Sequence, residues 1–197
     1  MNLDTIFRWV AIVAIGSCLA ISVFYRRRAA SSGERISHVQ EEGWMLMSIR
    51  VFFGLGMWLS TLVYMINPGW LAWAQLDLPL WLRWIGAVLL LLGVPMIYWV
   101  FSSLDRNVTG TVAIRREHQL VTHGPYRYVR HPLYSVGFCI FIGFALMTAN
   151  WFIAGLVVGG MFILDKRTPL EEQRLLERFG NDYQKYMLGT GRYIPKF

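Results

Sequence analysis

Residues 132–164 read PLYSVGFCIFIGFALMTANWFIAGLVVGGMFIL and contain no charged side chain. Two apolar runs, Pro132 to Met147 and Trp151 to Leu164, are separated by only three residues. Such a short break is typical of a tight helical hairpin, and each arm falls somewhat short of the roughly 30 Å apolar core of a bilayer. The stretch therefore predicts two helices that cross a thinned bilayer, or dip into it and return, with both outer ends on one side.

Three longer apolar runs precede the hairpin, at about Ile6 to Tyr25, Met45 to Ile66 and Leu80 to Leu104. Each reaches the roughly 20 residues that a transmembrane helix requires, and Pro95 predicts a kink in the third. The 197-residue chain is 55% hydrophobic and only 16% charged, against about 25% charged in a typical soluble domain. We therefore expect an all-α, polytopic integral membrane protein with about five transmembrane helices, of which the last two form the hairpin.

Basic residues are distributed unevenly among the segments that connect these runs. The turn after the second run, NPGWLAWAQLDLP, has neither Lys nor Arg, whereas the segments after the first run and on both sides of the hairpin are basic. Because basic residues favour the cytoplasmic side, we expect a multi-pass protein of the cell membrane with its N-terminus outside and its C-terminus in the cytoplasm. This pattern accounts for the net charge of +7, so no nucleic-acid partner is expected.

Two polar segments flank the hairpin. Before it, residues 118–134 read HQLVTHGPYRYVRHPLY and hold three of the four histidines; after it, residues 165–173 read DKRTPLEEQ. A tight hairpin returns its end close to its start, so the two segments should converge. We therefore predict a polar pocket at the cytoplasmic face, which a water-soluble cofactor enters from one side and a lipidic substrate from the apolar helices on the other.

The segment after the hairpin allows two local structures. Arg167 and Glu171 are four residues apart and would share one face of a helix, although Pro169 can instead mark a helix start. Leucine and aromatic residues from Pro169 to Met187 recur at helical spacing, which predicts an amphipathic interfacial helix that Gly180 breaks or bends. A purely structural interpretation remains open, in which the charges only anchor helix ends at the membrane surface.

Several common motifs are absent from the chain. The histidines at 118, 123 and 131 lack the spacing that places two imidazoles on one helix face, and the two cysteines form no CxxC pair, so no metal is expected. No glycine-rich nucleotide fingerprint occurs, and any cofactor must be held differently.

One packing motif is present. Gly155 and Gly159 form a GxxxG motif, which predicts close helix packing.

These motifs together resemble the isoprenylcysteine carboxyl methyltransferase and phospholipid methyltransferase superfamily. The resemblance covers about Thr111 to Phe197 and consists, in order, of an HxLV element, a G-P-Y turn, RHP-x-Y, an EE pair and FGxxYxxY. It implies an integral membrane enzyme of the prokaryotic type that uses S-adenosylmethionine. In one membrane domain, residues 1–104 would then supply three transmembrane helices, and residues 105–197 would form the catalytic region with its loop, hairpin and C-terminal helix.

The resemblance also implies roles for individual residues. Arg167 matches the arginine associated with substrate, and it is the expected catalytic residue. The residues that match cofactor contacts or the cofactor turn are His118, Gln119, Leu120, Val121, Gly124, Pro125, Tyr126, His131 and Glu171.

The chemistry of Arg167 bears on the choice of substrate. A guanidinium binds a carboxylate bidentately, and a carboxylate needs no general base, whereas an amine must arrive unprotonated and its cation would be repelled. We therefore expect methyl transfer to a carboxylate of a lipophilic or prenylated substrate, with membrane lipids as the other partners. The alternatives are a phospholipid amine N-methyltransferase and a non-enzymatic membrane scaffold or transporter. NADPH-binding sterol reductases share the superfamily's architecture and are a minor alternative.

Overall fold

The computed structural model of the protein describes residues 2–30, 44–104 and 120–196, and these ranges are almost entirely helical. Two short 3-10 helices, Pro68–Ala74 and Gly124–Arg127, lie between longer elements. The α-helices of the described ranges are α1 (Leu3–Ala30), α2 (Trp44–Ile66), α3 (Leu80–Leu104), α4 (Pro132–Thr148), α5 (Trp151–Phe179) and α6 (Asn181–Gly189). The all-α membrane architecture expected from the sequence is confirmed.

Polar contacts at one end of the bundle define how the helices are oriented. Arg83 at the start of α3 bonds Asp4 at the start of α1 at 2.9 Å and the carbonyl of Met147 at the end of α4 at 3.0 Å. Arg8 donates to the carbonyl of Met65 at the end of α2 at 2.5 Å. Successive helices from α1 to α5 therefore run in alternating directions, and the starts of α2 and α4 lie at the opposite end.

Three helices of the described ranges, α1, α2 and α3, are long and apolar enough to cross a membrane, whereas α4 is a shorter apolar helix of 17 residues. The chain is thus a multi-pass membrane protein. The alternating directions agree with five passes, but the passage of α4 and α5 through the whole bilayer stays a prediction.

The turn of the hairpin is as tight as the sequence predicts. Ala149 adopts the left-handed conformation (φ 48°) that ends many helices, and its neighbour Asn150 begins the next helix. The side chain of Asn150 accepts from the backbone N–H of Ile153 at 3.1 Å and donates to the carbonyl of Leu71 at 3.0 Å. Asn150 is buried, so both bonds stabilise the turn by satisfying polar groups that would otherwise lack partners.

Glycines permit a very close crossing between α3 and α4. A Cβ atom built on Gly86 would lie 2.5 Å from the backbone nitrogen of Met147, and one on Gly143 would lie 2.8 Å from the carbonyl of Gly86. Because the obstructing atoms are backbone, neither position can gain a side chain without moving a helix. This crossing fixes α4, and with it the start of the hairpin, against the long third helix.

The structure decides the alternative left open at Pro169 and uses only part of the GxxxG motif. Pro169 does not start a helix: α5 runs through it to Phe179, because the buried side chains Arg167, Thr168 and Glu172 on both sides of the proline are held by tertiary contacts. The GxxxG motif is only half used, since Gly159 packs against the ring of Phe53 while the Cβ position of Gly155 meets open space. The break at Gly180 is confirmed, with φ 52° between α5 and α6.

Candidate active site

The two polar segments that flank the hairpin do converge. Residues 165–179 continue α5 beyond its apolar part, and they pack beside the loop and first turn that lead into α4. A hydrogen bond of 2.7 Å joins the Tyr134 hydroxyl to Oε2 of Glu171, and Nη1 of Arg167 donates to the same hydroxyl at 3.0 Å. The Tyr134 hydroxyl thus links Arg167, which the family resemblance assigns to the substrate, with Glu171, which it assigns to the cofactor.

Glu172, the neighbour of Glu171, is the centre of a second network. Its Oε1 accepts from Arg130 through Nε at 3.0 Å and Nη2 at 2.9 Å, and its Oε2 accepts from Nη2 of Arg192 at 2.6 Å. His131 Nε2 lies 3.3 Å from Oε1 as well. Glu172 is only 3% exposed, and its network ties the loop before α4 to α5 and to the C-terminal segment.

Electrostatics separates the roles of these adjacent glutamates. Burial raises the pKa of Glu172, but the hydrogen bonds from His131, Arg192 and Arg130 outweigh burial and lower it from 4.5 to about 2. Glu172 is therefore a carboxylate that its protein partners hold in the ionised form. Within the described part of the chain, Tyr134 is the one hydrogen-bond partner of Glu171, which is half-buried and retains lone pairs for an incoming group.

The C-terminal segment completes this end of the site. The backbone N–H groups of Arg130 and His131 donate to the carbonyls of Gly191 and Arg192 at 2.8 and 3.0 Å, as in a short parallel pairing. The Tyr193 hydroxyl donates to Thr168 at 2.6 Å. His131 is consequently 5% exposed, with its ring stacked on Tyr134, and its Nε2 faces Glu172.

The turn before α4 is fixed against α3. Gly124 has φ 61°, and a Cβ there would lie 2.4 Å from the Ser103 hydroxyl oxygen, so glycine is required both by conformation and by space. The carbonyl of Tyr126 accepts a hydrogen bond of 2.5 Å from the Tyr186 hydroxyl of α6. Burial, followed by the charge of Glu171, raises the pKa of the Tyr126 phenol, so this ring stays neutral.

An apolar cavity of about 400 Å³ lies directly beside Tyr134. It extends among the five helices α1 to α5 and is lined mainly by aliphatic and aromatic side chains, with Arg26, Arg50 and Tyr134 among the polar exceptions. Its size falls within the roughly 300–1,000 Å³ typical of ligand pockets. Tyr134 is therefore shared between a polar cluster and a lipophilic cavity.

The structure brings together Arg167, Glu171, Tyr126 and His131, as the hairpin predicted. Leu120 and Val121 are half-buried in the same loop, and Pro125 is buried in its 3-10 turn. His118 and Gln119 lie outside the described residues. None of these contacts tests which of the residues binds a cofactor.

Sequence reasoning missed Tyr134, Glu172, Arg130 and the C-terminal segment. Tyr134 and Arg130 stand beside the apolar run of α4, where tyrosine and arginine are common as interfacial anchors. The EE pair offered a signal, since two adjacent glutamates point to different sides of a helix and cannot share one environment. Nothing in the local sequence indicates that Arg192 reaches Glu172, because that contact depends on how the chain returns after α6.

Comparison with known proteins identifies the family of the chain. The sequence model described as phospholipid methyltransferase matches residues 81–182, over half of the chain. The chain is 35% identical over 120 residues to protein-S-isoprenylcysteine O-methyltransferase B of Arabidopsis thaliana, covering 58% of this chain and 60% of that one. It is 31% identical over 148 residues to protein-S-isoprenylcysteine O-methyltransferase A of the same plant, covering 73% of each. The chain thus spans about 60% of the length of the first relative.

A solved structure supports the fold. The eukaryotic intramembrane Ras methyltransferase ICMT (isoprenylcysteine carboxyl methyltransferase) superimposes with a TM-score of 0.55 at 23% identity, covering 94% of this chain and 67% of that chain. The fold defines a multi-pass helical membrane protein with a polar cluster at one end of its bundle. The chain belongs to the phospholipid methyltransferase family.

Proposed function

We propose that the protein is an S-adenosylmethionine-dependent membrane methyltransferase that acts on a carboxylate of a lipophilic substrate of the isoprenylcysteine type. One observation carries the proposal: the Tyr134 hydroxyl joins Arg167 to Glu171 where an apolar cavity meets the polar cluster. The names of the relatives, protein-S-isoprenylcysteine O-methyltransferases, support the same reaction.

Arg167 is assigned to the substrate. It is 6% exposed and lies one turn of α5 before Glu171, and both contact the same phenol. A buried guanidinium binds a carboxylate through two parallel hydrogen bonds, which fixes the plane of the carboxylate and directs one oxygen. The lipid chain of the substrate would then extend from Tyr134 into the apolar cavity.

The side chains beside Arg167 fit S-adenosylmethionine. Glu171 retains acceptor capacity for an amino group or ribose hydroxyls, and Tyr126 provides a neutral aromatic ring. His118, Gln119, Leu120, Val121, Pro125 and His131 are assigned to the same pocket through the family motifs. Bound there, S-adenosylmethionine would supply a methyl group attached to a positively charged sulfur, which is a good leaving group because it takes the bonding electron pair and becomes a neutral thioether.

The protein's own contribution to such a transfer is positioning. The acceptor is already an anion, so no residue has to remove a proton, and Arg167 would hold the carboxylate so that one oxygen is directed towards the methyl donor. Positioning of this kind lowers a barrier by up to roughly 7–11 kcal/mol in well-oriented systems. The hydrogen bonds of Glu172 hold the loop before α4, α5 and the C-terminal segment in fixed positions around the pocket.

An amine of a phospholipid is the second candidate acceptor, because the family carries that name. Arg167 disfavours it, since a buried guanidinium repels the protonated amine that predominates at neutral pH.

The basic residues around the hairpin support a cytoplasmic pocket, with the C-terminus in the cytoplasm and the N-terminus outside.

Cofactor binding tests the proposal. Radiolabelled S-adenosylmethionine is titrated into detergent-solubilised wild type, Glu171→Gln and the matched control Glu177→Gln, which is exposed on the same helix. Loss of a charge-assisted hydrogen bond should weaken binding by Glu171→Gln roughly 10- to 100-fold, with little change in the control. Equal affinity in all three proteins, or no binding to wild type, would remove the basis for the cofactor assignment.

A further inference from the structure

The apolar cavity has two arginines at one end. On α1 it is lined by Ile15, Cys18, Leu19, Ser22 and Arg26, which lie along one helix face and extend over about 16 Å at 1.5 Å per residue. Arg50 of α2 lines the same cavity. Since Arg26 lies near the end of α1 and Arg50 near the start of α2, both arginines belong to the end of the bundle that holds Tyr134.

The two arginines occupy different positions in their helices. Arg50 lies six residues inside an apolar helix that is long enough to span a membrane, and it is half-buried. Charged groups in such helices are costly, and they are commonly retained for a functional reason. Arg26 lies in the basic cluster at the end of α1 and is exposed like its neighbours Arg27 and Arg28, but neither neighbour lines the cavity.

The two arginines are distinct from the site of methyl transfer. Arg167 belongs to α5 and contacts Tyr134, whereas Arg26 and Arg50 come from α1 and α2. Both also precede residue 81, where the match to the family model begins. They therefore lie outside the segment that matches the family model. They add charge to a cavity that is otherwise mainly apolar.

We propose that Arg26 and Arg50 form an oxyanion-binding subsite at the polar end of this cavity. The substrate is then an amphiphile that carries a second anionic group, a phosphate or carboxylate, in addition to the group that is methylated. The assignment of the cavity to substrate rests on the proposed function. Guanidinium groups bind such oxyanions through paired, charge-assisted hydrogen bonds, and an apolar surrounding strengthens these bonds.

Equilibrium binding of amphiphiles matched in chain length tests this subsite without any methyl donor. Dodecyl phosphate, dodecanol and inorganic phosphate are titrated into the full chain in a neutral detergent. The variants are Arg26→Gln/Arg50→Gln and the matched control Arg27→Gln/Arg28→Gln, which removes two adjacent charges outside the cavity. Binding of dodecanol reports whether the cavity is intact in each variant.

Wild type should bind dodecyl phosphate at least about tenfold more tightly than dodecanol, as one charge-assisted pair provides. Arg26→Gln/Arg50→Gln should lose this preference and keep its affinity for dodecanol, while the control retains both. If the double variant does not fold, Arg26→Gln alone is measured, because replacing an exposed side chain should leave the fold intact. This variant should have a reduced preference for dodecyl phosphate.

Three results would overturn the subsite. An unchanged preference in the double variant would show that the arginines do not contact the anion. An equal loss in the control would show general attraction to a basic surface. Equally tight, arginine-dependent binding of inorganic phosphate would assign the subsite to a free oxyanion and not to an amphiphile. The binding assay contains no methyl donor. Absence of methyl transfer in a separate activity assay would therefore refute the proposed function and leave the binding result standing.

Discussion

The charge on Glu172 should be a principal source of stability at the polar end of the bundle. Glu172→Gln preserves the shape of the side chain but removes the negative charge that faces Arg130, His131 and Arg192. The pKa of Glu172 is lowered from 4.5 to about 2, and this shift corresponds to about 3 kcal/mol at 1.36 kcal/mol per unit. Loss of one partner from a buried ion pair costs a similar 3–5 kcal/mol or so.

The pH dependence of this stability has a defined direction. A carboxylate whose pKa is lower in the folded state stabilises the fold above its unfolded pKa, and the contribution is lost as the carboxylate becomes protonated. For Glu172 the loss should occur as the pH falls from 4.5 towards about 2. Arg192 is 38% exposed and contributes less than Arg130, because solvent screens its charge.

Reversible unfolding in mixed micelles at pH 7 and at pH 3 measures both effects. Glu172→Gln should be about 3 kcal/mol less stable than wild type at pH 7, and the difference should shrink at pH 3. The control Glu177→Gln removes an exposed carboxylate that bonds only Gln173 among the described residues and should change stability by less than about 0.5 kcal/mol. Equal stabilities of the two variants at pH 7, or a difference that does not change with pH, would refute the reasoning.

Other positions give equally direct tests. Arg167→Lys should keep the charge but lose bidentate binding, lowering kcat/KM for a carboxylate substrate roughly 10- to 100-fold with little change in cofactor affinity; an unchanged kcat/KM would place the carboxylate elsewhere. Tyr134→Phe removes the hydroxyl between Arg167 and Glu171, so unfolding measurements should show a loss of about 1–3 kcal/mol, and no loss would mean that the bonds contribute nothing. Gly86→Ala should destabilise the α3–α4 crossing by about 1–3 kcal/mol in the same assay, whereas Gly155→Ala, which meets open space, should be tolerated; similar effects would contradict the packing described for the two glycines.

The longest apolar runs could be predicted well from the sequence. Leu80 to Leu104 was predicted residue for residue, and the three-residue break at 148–150 correctly predicted the hairpin. Both depend on signals within one segment, namely apolar length and a polar interruption. Convergence of the segments on either side followed from the hairpin alone, which is why Arg167, Glu171 and His131 were brought together correctly.

Features that depend on contacts between distant segments could not be predicted. Pro169 locally favours a helix start, but burial of Thr168 and Glu172 beside it keeps α5 continuous. The close crossing at Gly86 and Gly143 has no sequence motif, whereas the visible GxxxG motif is only half used. The Glu172 network requires Arg192, twenty residues further along the chain, and only the path through α6 brings it back.

The central claim is methyl transfer to a carboxylate positioned by Arg167. The most direct test supplies S-adenosylmethionine with a tritiated methyl group to the purified protein, together with either a farnesylcysteine analogue or phosphatidylethanolamine. We expect base-labile methyl ester to form on the farnesylcysteine analogue, little label in the phospholipid, and a strong reduction in Arg167→Lys. Label in the phosphatidylethanolamine alone, or equal turnover by Arg167→Lys, would contradict the claim.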